Sequence, residues 1–158
     1  MTIKAIQTEY RGYKFRSRLE ARWAVFFDTV GVAWEYEPEG YHLGDLGCYL
    51  PDFFIQGNGH RGPYIEIKGT RPNDLEIQKM DTLCCGLGAY GAIFYGDMQA
   101  PNWISFHKEV GRDGQELDNP AIGSNGALYP FSKFSDEKTA QAIIAARSAR
   151  FEHEETPR

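Results

Sequence analysis

Apolar and polar residues recur with a helical period across residues 17–31 and alternate with a strand period across residues 32–37 and 64–68. Ser17-Arg18-Leu19-Glu20 has the S-x-x-E form of a capping box, which starts a helix by satisfying its first free amides. Leu19, Trp23, Phe26 and Val30 then fall at i, i+4, i+7 and i+11, one amphipathic stripe. Gly31 suits the C-terminal end of that helix. Residues 32–37 read as a strand, and Gly40 to Gly47 supply turn chemistry. Residues 48–55 read as a second strand, in which Pro51 marks an edge or a bulge because proline removes one ladder donor. A glycine-rich turn at 57–62 leads to a third strand at 64–68, so residues 48–68 form an expected antiparallel hairpin.

Pro72-Asn73-Asp74 opens a second helix to about Cys85, with Leu75, Ile77, Met80 and Leu83 apolar. Two short strands follow at 92–95 and 103–106. Residues 111–134 are rich in glycine, asparagine and proline and show no period; a loop of that length usually carries function or motion. Ser135 caps a final helix, 136–152, with Ala140, Ile143 and Ile144 expected to face inward, and a polar tail follows. The order helix, three strands, helix, strand predicts an α/β fold with a mixed central sheet flanked by helices. The 158 residues suit one domain, 1–158, that buries about 70% of its unfolded surface. Loop 111–134 and helix 136–152 are then additions to the core.

Composition alters this picture little: 42% hydrophobic, 25% charged and 14% aromatic residues supply an ordinary packed core. Uncharged apolar runs such as Trp23 to Phe27 are far too short to span a bilayer. The N-terminus lacks an apolar stretch of signal-peptide length, so a soluble, cytoplasmic protein without membrane contact is expected. Cys48, Cys84 and Cys85 cannot all pair and show no C-x-x-C spacing, which disfavours a disulfide framework or structural zinc.

Charge matters more. The net value of −5 argues by itself against a polyanionic partner, but it hides an asymmetry. Residues 1–31 sum to +3, residues 32–59 hold five acids and no Lys or Arg, residues 60–80 sum to +1, and residues 81–158 sum to −4. A local cationic face beside an acidic pocket is the sharper reading; a mixed solvated surface is the plainer one.

Three charges interrupt segments that otherwise read as core strands: Asp52, Glu66 and Lys68. Glu66 and Lys68 share a strand face, which alone is what a half-exposed strand presents. Asp52, fourteen positions earlier across the turn, lies where a hairpin sets it beside Glu66. Neighbouring carboxylates repel unless a cation sits between them. A hard divalent ion bound by oxygens relieves that repulsion, and magnesium is the usual choice where a phosphate is also held. Lys68 then supplies positive charge where a water attacks or phosphate charge grows. Two acids and a lysine are what metal-assisted phosphodiester hydrolysis requires.

Pro51-Asp52 followed by Glu66-Ile67-Lys68, with an acid in a preceding helix, resembles the PD-(D/E)XK nuclease superfamily. The resemblance covers roughly residues 10–106. FRSRLEARWAVFFDTVGVAWEYEP and YLPDFF also look like the small stand-alone members common in bacteriophages and actinobacteria, which places the protein in a bacterial cell or a phage host. It implies a restriction-endonuclease-like α-β-β-β-α-β core and a Mg²⁺- or Mn²⁺-dependent endonuclease acting on DNA. Asp52 and Glu66 would hold the metal with the backbone carbonyl of Ile67, and Lys68 would orient the water or stabilise the developing charge. Glu20 matches the helical acid that binds a second metal or a metal-bound water. Glu20 is equally the N3 residue of the Ser17 capping box, and both roles stay open.

Gln78 and Lys79 on the second helix would reach the scissile phosphate as in some relatives, or form a solvent-facing pair. Arg16, Arg18 and Arg22 recur at near-helical spacing and either track a DNA backbone, where phosphate neutralisation supplies sequence-independent affinity, or line an exposed basic face. Arg147 and Arg150 read the same way. Glu35, Glu37 and Glu39 project outward, with Glu37 also able to line the acidic pocket. The four histidines show no metal-binding pattern. One domain carries one active site, so double-strand cleavage requires a homodimer or two encounters. The alternatives are a catalytically silent module that uses this fold to hold DNA or a protein, and a relative that cleaves RNA.

Overall fold

The computed structural model describes residues 6–56, 63–99, 101–106 and 136–151. The expected turn at 57–62, loop 111–134, the Ser135 cap and the tail after 151 lie outside the described residues. The chain divides into two compact units, Met1–Val32 with Phe134–Arg158, and Ala33–Lys133.

The first unit opens with a ribbon absent from the sequence reading: β1 (Thr8–Tyr10) pairs antiparallel with β2 (Tyr13–Phe15). Arg11 and Gly12 between them both take positive φ, 49° and 80°, the backbone of the two-residue turn whose twist suits a hairpin. Helix α1 (Arg18–Val30) follows as the capping signal predicts. The Glu20 amide donates to Ser17 Oγ at 3.1 Å, and Gly31 closes the helix in the left-handed region at φ 84°. Tyr10 donates its hydroxyl to the Asp28 carboxylate, and Arg11 Nη1 pairs with Asp28 Oδ1 at 2.6 Å, so the ribbon is tied to α1 at its tip. Burial, the Asp28 hydrogen bond and its charge hold the Tyr10 phenol well above the usual range. The buried face of α1 is wider than a single stripe: Ala21, Ala24 and Phe27 join Trp23, Phe26 and Val30.

Helix α3 (Asp136–Ser148) packs on α1 but departs from its expected orientation. Ala142 and Ala146 are buried, while Ala140 is exposed and Ile144 is 64% exposed. Positions 140 and 144 each lie two residues from 142, some 200° around the helix, so they cannot share its face. Methyl-sized side chains at the contact let the axes approach closely against the bulky face of α1. The helix also ends before 152: the chain leaves it after Ser148, and Phe151 turns inward in an extended bridge.

In the second unit a five-stranded mixed sheet carries the architecture. Its strands are β3 (Trp34–Tyr36), β6 (Phe53–Ile55), β7 (Tyr64–Lys68), β8 (Gly91–Tyr95) and β9 (Asn102–Phe106), in that spatial order. All neighbours are antiparallel except β7 and β8, which run parallel and are joined through α2 (Asp74–Leu87). A parallel pair needs such a crossover. Strands β6 and β7 form the expected antiparallel pair, with Phe53 opposite Ile65.

The segment 48–55 is not one strand. It breaks at Pro51 into β5 (Cys48–Tyr49) and β6, and β5 instead pairs with β4 (Tyr41–His42) around a 3₁₀ turn at Gly44–Leu46. Proline lacks the ladder donor, so the chain changes partner there and part of the region read as turn becomes a small ribbon.

Helix α2 starts at a complete capping box, Asn73 with Glu76, and ends at Gly88 in the left-handed region. Its Met80, Leu83 and Cys84 pack with Tyr64, Ile93 and Ile104, whereas Leu75 is 50% exposed because it lies off the stripe set by Ile77 and Met80. Gly91 permits this close packing: a Cβ there would stand 2.6 Å from Cys84 Sγ and 2.8 Å from Met80 Sδ. The molecule is therefore a mixed α/β protein. No helix among the described residues is long and apolar enough to cross a membrane.

Ser17→Ala is expected to lower stability by about 1–2 kcal/mol, because one change removes the α1 cap and the hydroxyl that donates to Glu20. Urea denaturation should show a lower midpoint at unchanged slope. An unmoved midpoint would mean that the cap carries no stability.

Candidate active site

Asp52 stands one residue before β6, where the pairing of the sheet ends. The register that sets Phe53 opposite both Tyr36 and Ile65 aligns Asp52 with Glu37 on one side and Glu66 on the other. Its backbone carbonyl accepts from the Glu37 amide at 2.8 Å. Its side chain takes the next rung in place of a backbone group: Oδ2 accepts from the Ile67 amide at 2.7 Å. One residue thus bonds to β7 through its carboxylate and to the chain after β3 through its carbonyl.

The alternation of β7 arranges the remaining groups. Tyr64 donates its amide to Tyr90 and Lys68 accepts from Gly96, so residues 64 and 68 direct their backbone toward the β8 side. Ile65 and Ile67 therefore turn theirs toward β6. The Ile67 carbonyl consequently lies on the edge occupied by the Asp52 side chain. Tyr64, Glu66 and Lys68 share one face of the strand.

Asp52 and Glu66 are 2% and 8% exposed, an unusual burial for two carboxylates. Glu66 Oε1 pairs with Lys68 Nζ at 3.2 Å, and Glu66 Oε2 accepts from the Tyr49 hydroxyl at 3.2 Å. Lys68 Nζ also pairs with Glu76 Oε1 at 3.0 Å, while Glu76 Oε2 accepts from the Asn73 amide at 2.8 Å. Lys68 thus bridges Glu66 of β7 and Glu76 of α2, while Asp52, just before β6, is bonded to the β7 backbone next to Glu66.

The electrostatics follow. Burial alone would push the Lys68 ammonium down, but the charge of Glu66 and the hydrogen bond and charge of Glu76 hold it above the usual lysine range. Burial would raise Glu76, yet the Asn73 amide, Lys68 and the Lys79 charge bring it below the usual carboxylate range. Burial, then the charges of Glu66 and Asp52, push the Tyr49 phenol far up, so it acts at neutral pH as a hydrogen-bond donor.

The donor chemistry suits a hard cation: two carboxylates and a backbone carbonyl, all oxygen. Among the described residues no three His, Cys, Asp or Glu side chains are grouped to hold a metal. A cation here would complete its shell with the Ile67 carbonyl and water, the habit of Mg²⁺.

Glu20 belongs to the first unit, on α1. It is 7% exposed, and its Oε1 accepts from the Ser17 hydroxyl at 2.9 Å, so the cap engages it through the hydroxyl. Arg16 is exposed just before α1, and Arg18 and Arg22 are half-buried on it. Gln78 is exposed and Lys79 half-buried on α2, within a turn of Glu76. Glu35 is exposed, and Glu37 is half-buried at φ 48° beside Asp52.

Two residues of the site escaped the sequence reading. Glu76 had a legible signal, since Asn73 with an acid three positions later is itself a capping box. Tyr49 had none, because its role depends on β5 leaving the sheet at Pro51.

The chain matches no family model, no curated protein and no solved structure.

Proposed function

We propose that the protein is a metal-dependent DNA endonuclease of PD-(D/E)XK type, with Asp52, Glu66 and Lys68 as its reactive centre. The observation that carries this reading is the hydrogen bond from Ile67 to Asp52, which docks one buried acid on β7 next to the buried Glu66 and its half-buried partner Lys68. The chain order α1, β3, β6, β7, α2, β8 supports it, being the helix, three strands, helix and strand of a restriction-endonuclease-like core once the β4–β5 ribbon is set aside.

Asp52, Glu66 and the Ile67 carbonyl would hold Mg²⁺ or Mn²⁺. When bound, that ion lowers the pKa of a water and neutralises phosphate charge. Lys68, kept cationic by Glu66 and Glu76, stabilises the negative charge that builds on the phosphate as water attacks. Gln78 and Lys79, on α2 within a turn of Glu76, would contact flanking phosphates. The residues in these roles all belong to the second unit, with Glu20 and the α1 arginines left outside the chemistry proposed.

The test is supercoiled plasmid incubated with purified protein and Mg²⁺. Nicked circles with 5′-phosphate ends should accumulate, and EDTA should stop them. Failure on supercoiled, linear, single-stranded and branched DNA alike would leave the silent binding module as the better reading. Cleavage of RNA alone would overturn the assigned substrate.

A further inference from the structure

The β4–β5 ribbon meets β7 through two phenols. Tyr41 and Tyr49 are direct cross-strand partners, so their side chains lie on one face of the ribbon. The Tyr41 hydroxyl meets the Tyr64 hydroxyl at 2.8 Å, and the Tyr49 hydroxyl donates to Glu66 Oε2 at 3.2 Å. Tyr64 and Glu66 are alternate residues on one face of β7, so the spacing of the two phenols matches the strand's repeat. The Tyr41 hydroxyl meets a phenol and also reaches the exposed Glu39 carboxylate at 3.4 Å, whereas the Tyr49 hydroxyl ends on the buried Glu66 carboxylate.

We propose that Tyr49 is a positioning residue that sets the Glu66 carboxylate for cation binding. A glutamate has three side-chain torsions, and burial of its stem does not fix the rotation of its carboxylate. Here the two oxygens are distinguished: Lys68 holds Oε1 and Tyr49 holds Oε2. The plane of the carboxylate is then defined by a partner on each oxygen. An ionised carboxylate only accepts, so the phenol must donate. The Tyr49 ring is itself steadied, half-buried with its hydroxyl 4.0 Å from Met80 Sδ. Hydrogen-bonded partners of this kind orient metal-binding carboxylates, and their loss typically weakens metal affinity about 10–100-fold. The inference rests on the cation site proposed above.

Mn²⁺ binding to the full-length protein, read by electron paramagnetic resonance as loss of the free-ion signal, tests it. Tyr49→Phe should bind Mn²⁺ about 10–100-fold more weakly than wild type. Plasmid nicking by this variant should recover as Mn²⁺ is raised, because Asp52, Glu66 and Lys68 remain. Tyr41→Phe removes the matching hydroxyl from the same ribbon without touching Glu66, and should bind Mn²⁺ as wild type does. Wild-type affinity in Tyr49→Phe would overturn the inference and leave the cation site standing. Equal weakening in both variants would overturn it too, since anchoring of the ribbon would then be the cause. Wild type that binds no Mn²⁺ would sink the cation site and this inference together. Wild type that binds Mn²⁺ but nicks nothing would sink only the nuclease reading, and weaker binding by Tyr49→Phe alone would still support the role of Tyr49.

Discussion

Asp52→Ala, Glu66→Ala and Lys68→Ala are each expected to slow Mg²⁺-dependent plasmid nicking by roughly 10²–10³-fold or more. The three losses should differ in kind. A ligand that binds only the folded state raises its melting temperature, so wild type should gain stability with Mn²⁺. Asp52→Ala and Glu66→Ala remove oxygen donors, and that gain should disappear. Lys68→Ala loosens the hold on Glu66 Oε1 but removes a cation that competes with the metal and keeps both carboxylates, the Ile67 carbonyl and the Tyr49 hydrogen bond, so it should retain the gain while losing the rate. Single-turnover nicking and thermal melts with and without Mn²⁺ separate the cases, with circular dichroism confirming that each variant is folded. Lys68→Ala nicking as fast as wild type would remove the lysine from the chemistry and, with it, the mechanism proposed.

The largest expected stability change falls one strand away. Phe94→Ala should destabilise the protein by about 3–5 kcal/mol, the usual cost of emptying a fully buried phenylalanine site. Phe94 sits on β8, an interior strand of the sheet, directly beside Ile67 in the parallel register, and its ring packs against Trp103 at a centroid distance of 5.9 Å. Domains of this size are stable by about 5–15 kcal/mol, so the loss is a large fraction of the whole. Urea denaturation measures it. A loss below about 1 kcal/mol would mean that the β8–β9 region relaxes into the space without cost. A change near the expected size should also lower nicking at elevated temperature, since β7 carries both Glu66 and Lys68.

Local signals in this chain were readable and long-range ones were not. Helix α1 was plain from Ser17, the apolar stripe and Gly31, all within fifteen residues. Strand β7 is plain from its alternation, and a hairpin across the glycine-rich turn is enough to bring Asp52 next to Glu66, although the bond of its carboxylate to the Ile67 amide is not legible in the sequence. The β1–β2 ribbon was missed because its turn, Arg11-Gly12, puts an arginine in a left-handed conformation that its type does not advertise. The inward face of α3 was misread because bulky Ile144 outranked Ala142 on hydrophobicity, whereas close helix packing selected the smaller residue. The break at Pro51 was visible as an anomaly, but the change of partner that follows it depends on tertiary pairing. Tyr49 was hidden for that reason: its contact with Glu66 spans seventeen residues and two sheets.

Lys68 is gripped in the free protein by two carboxylates, one from the strand and one from the helix. On the proposed chemistry a phosphate would compete with Glu76 for that ammonium. Glu76 can yield without unravelling anything, because its other oxygen stays on the Asn73 amide and the helix start keeps its cap. In the resting protein one Glu76 oxygen thus neutralises the ammonium while the other secures the helix start, so a single side chain couples the charge at the strand end to the first turn of α2.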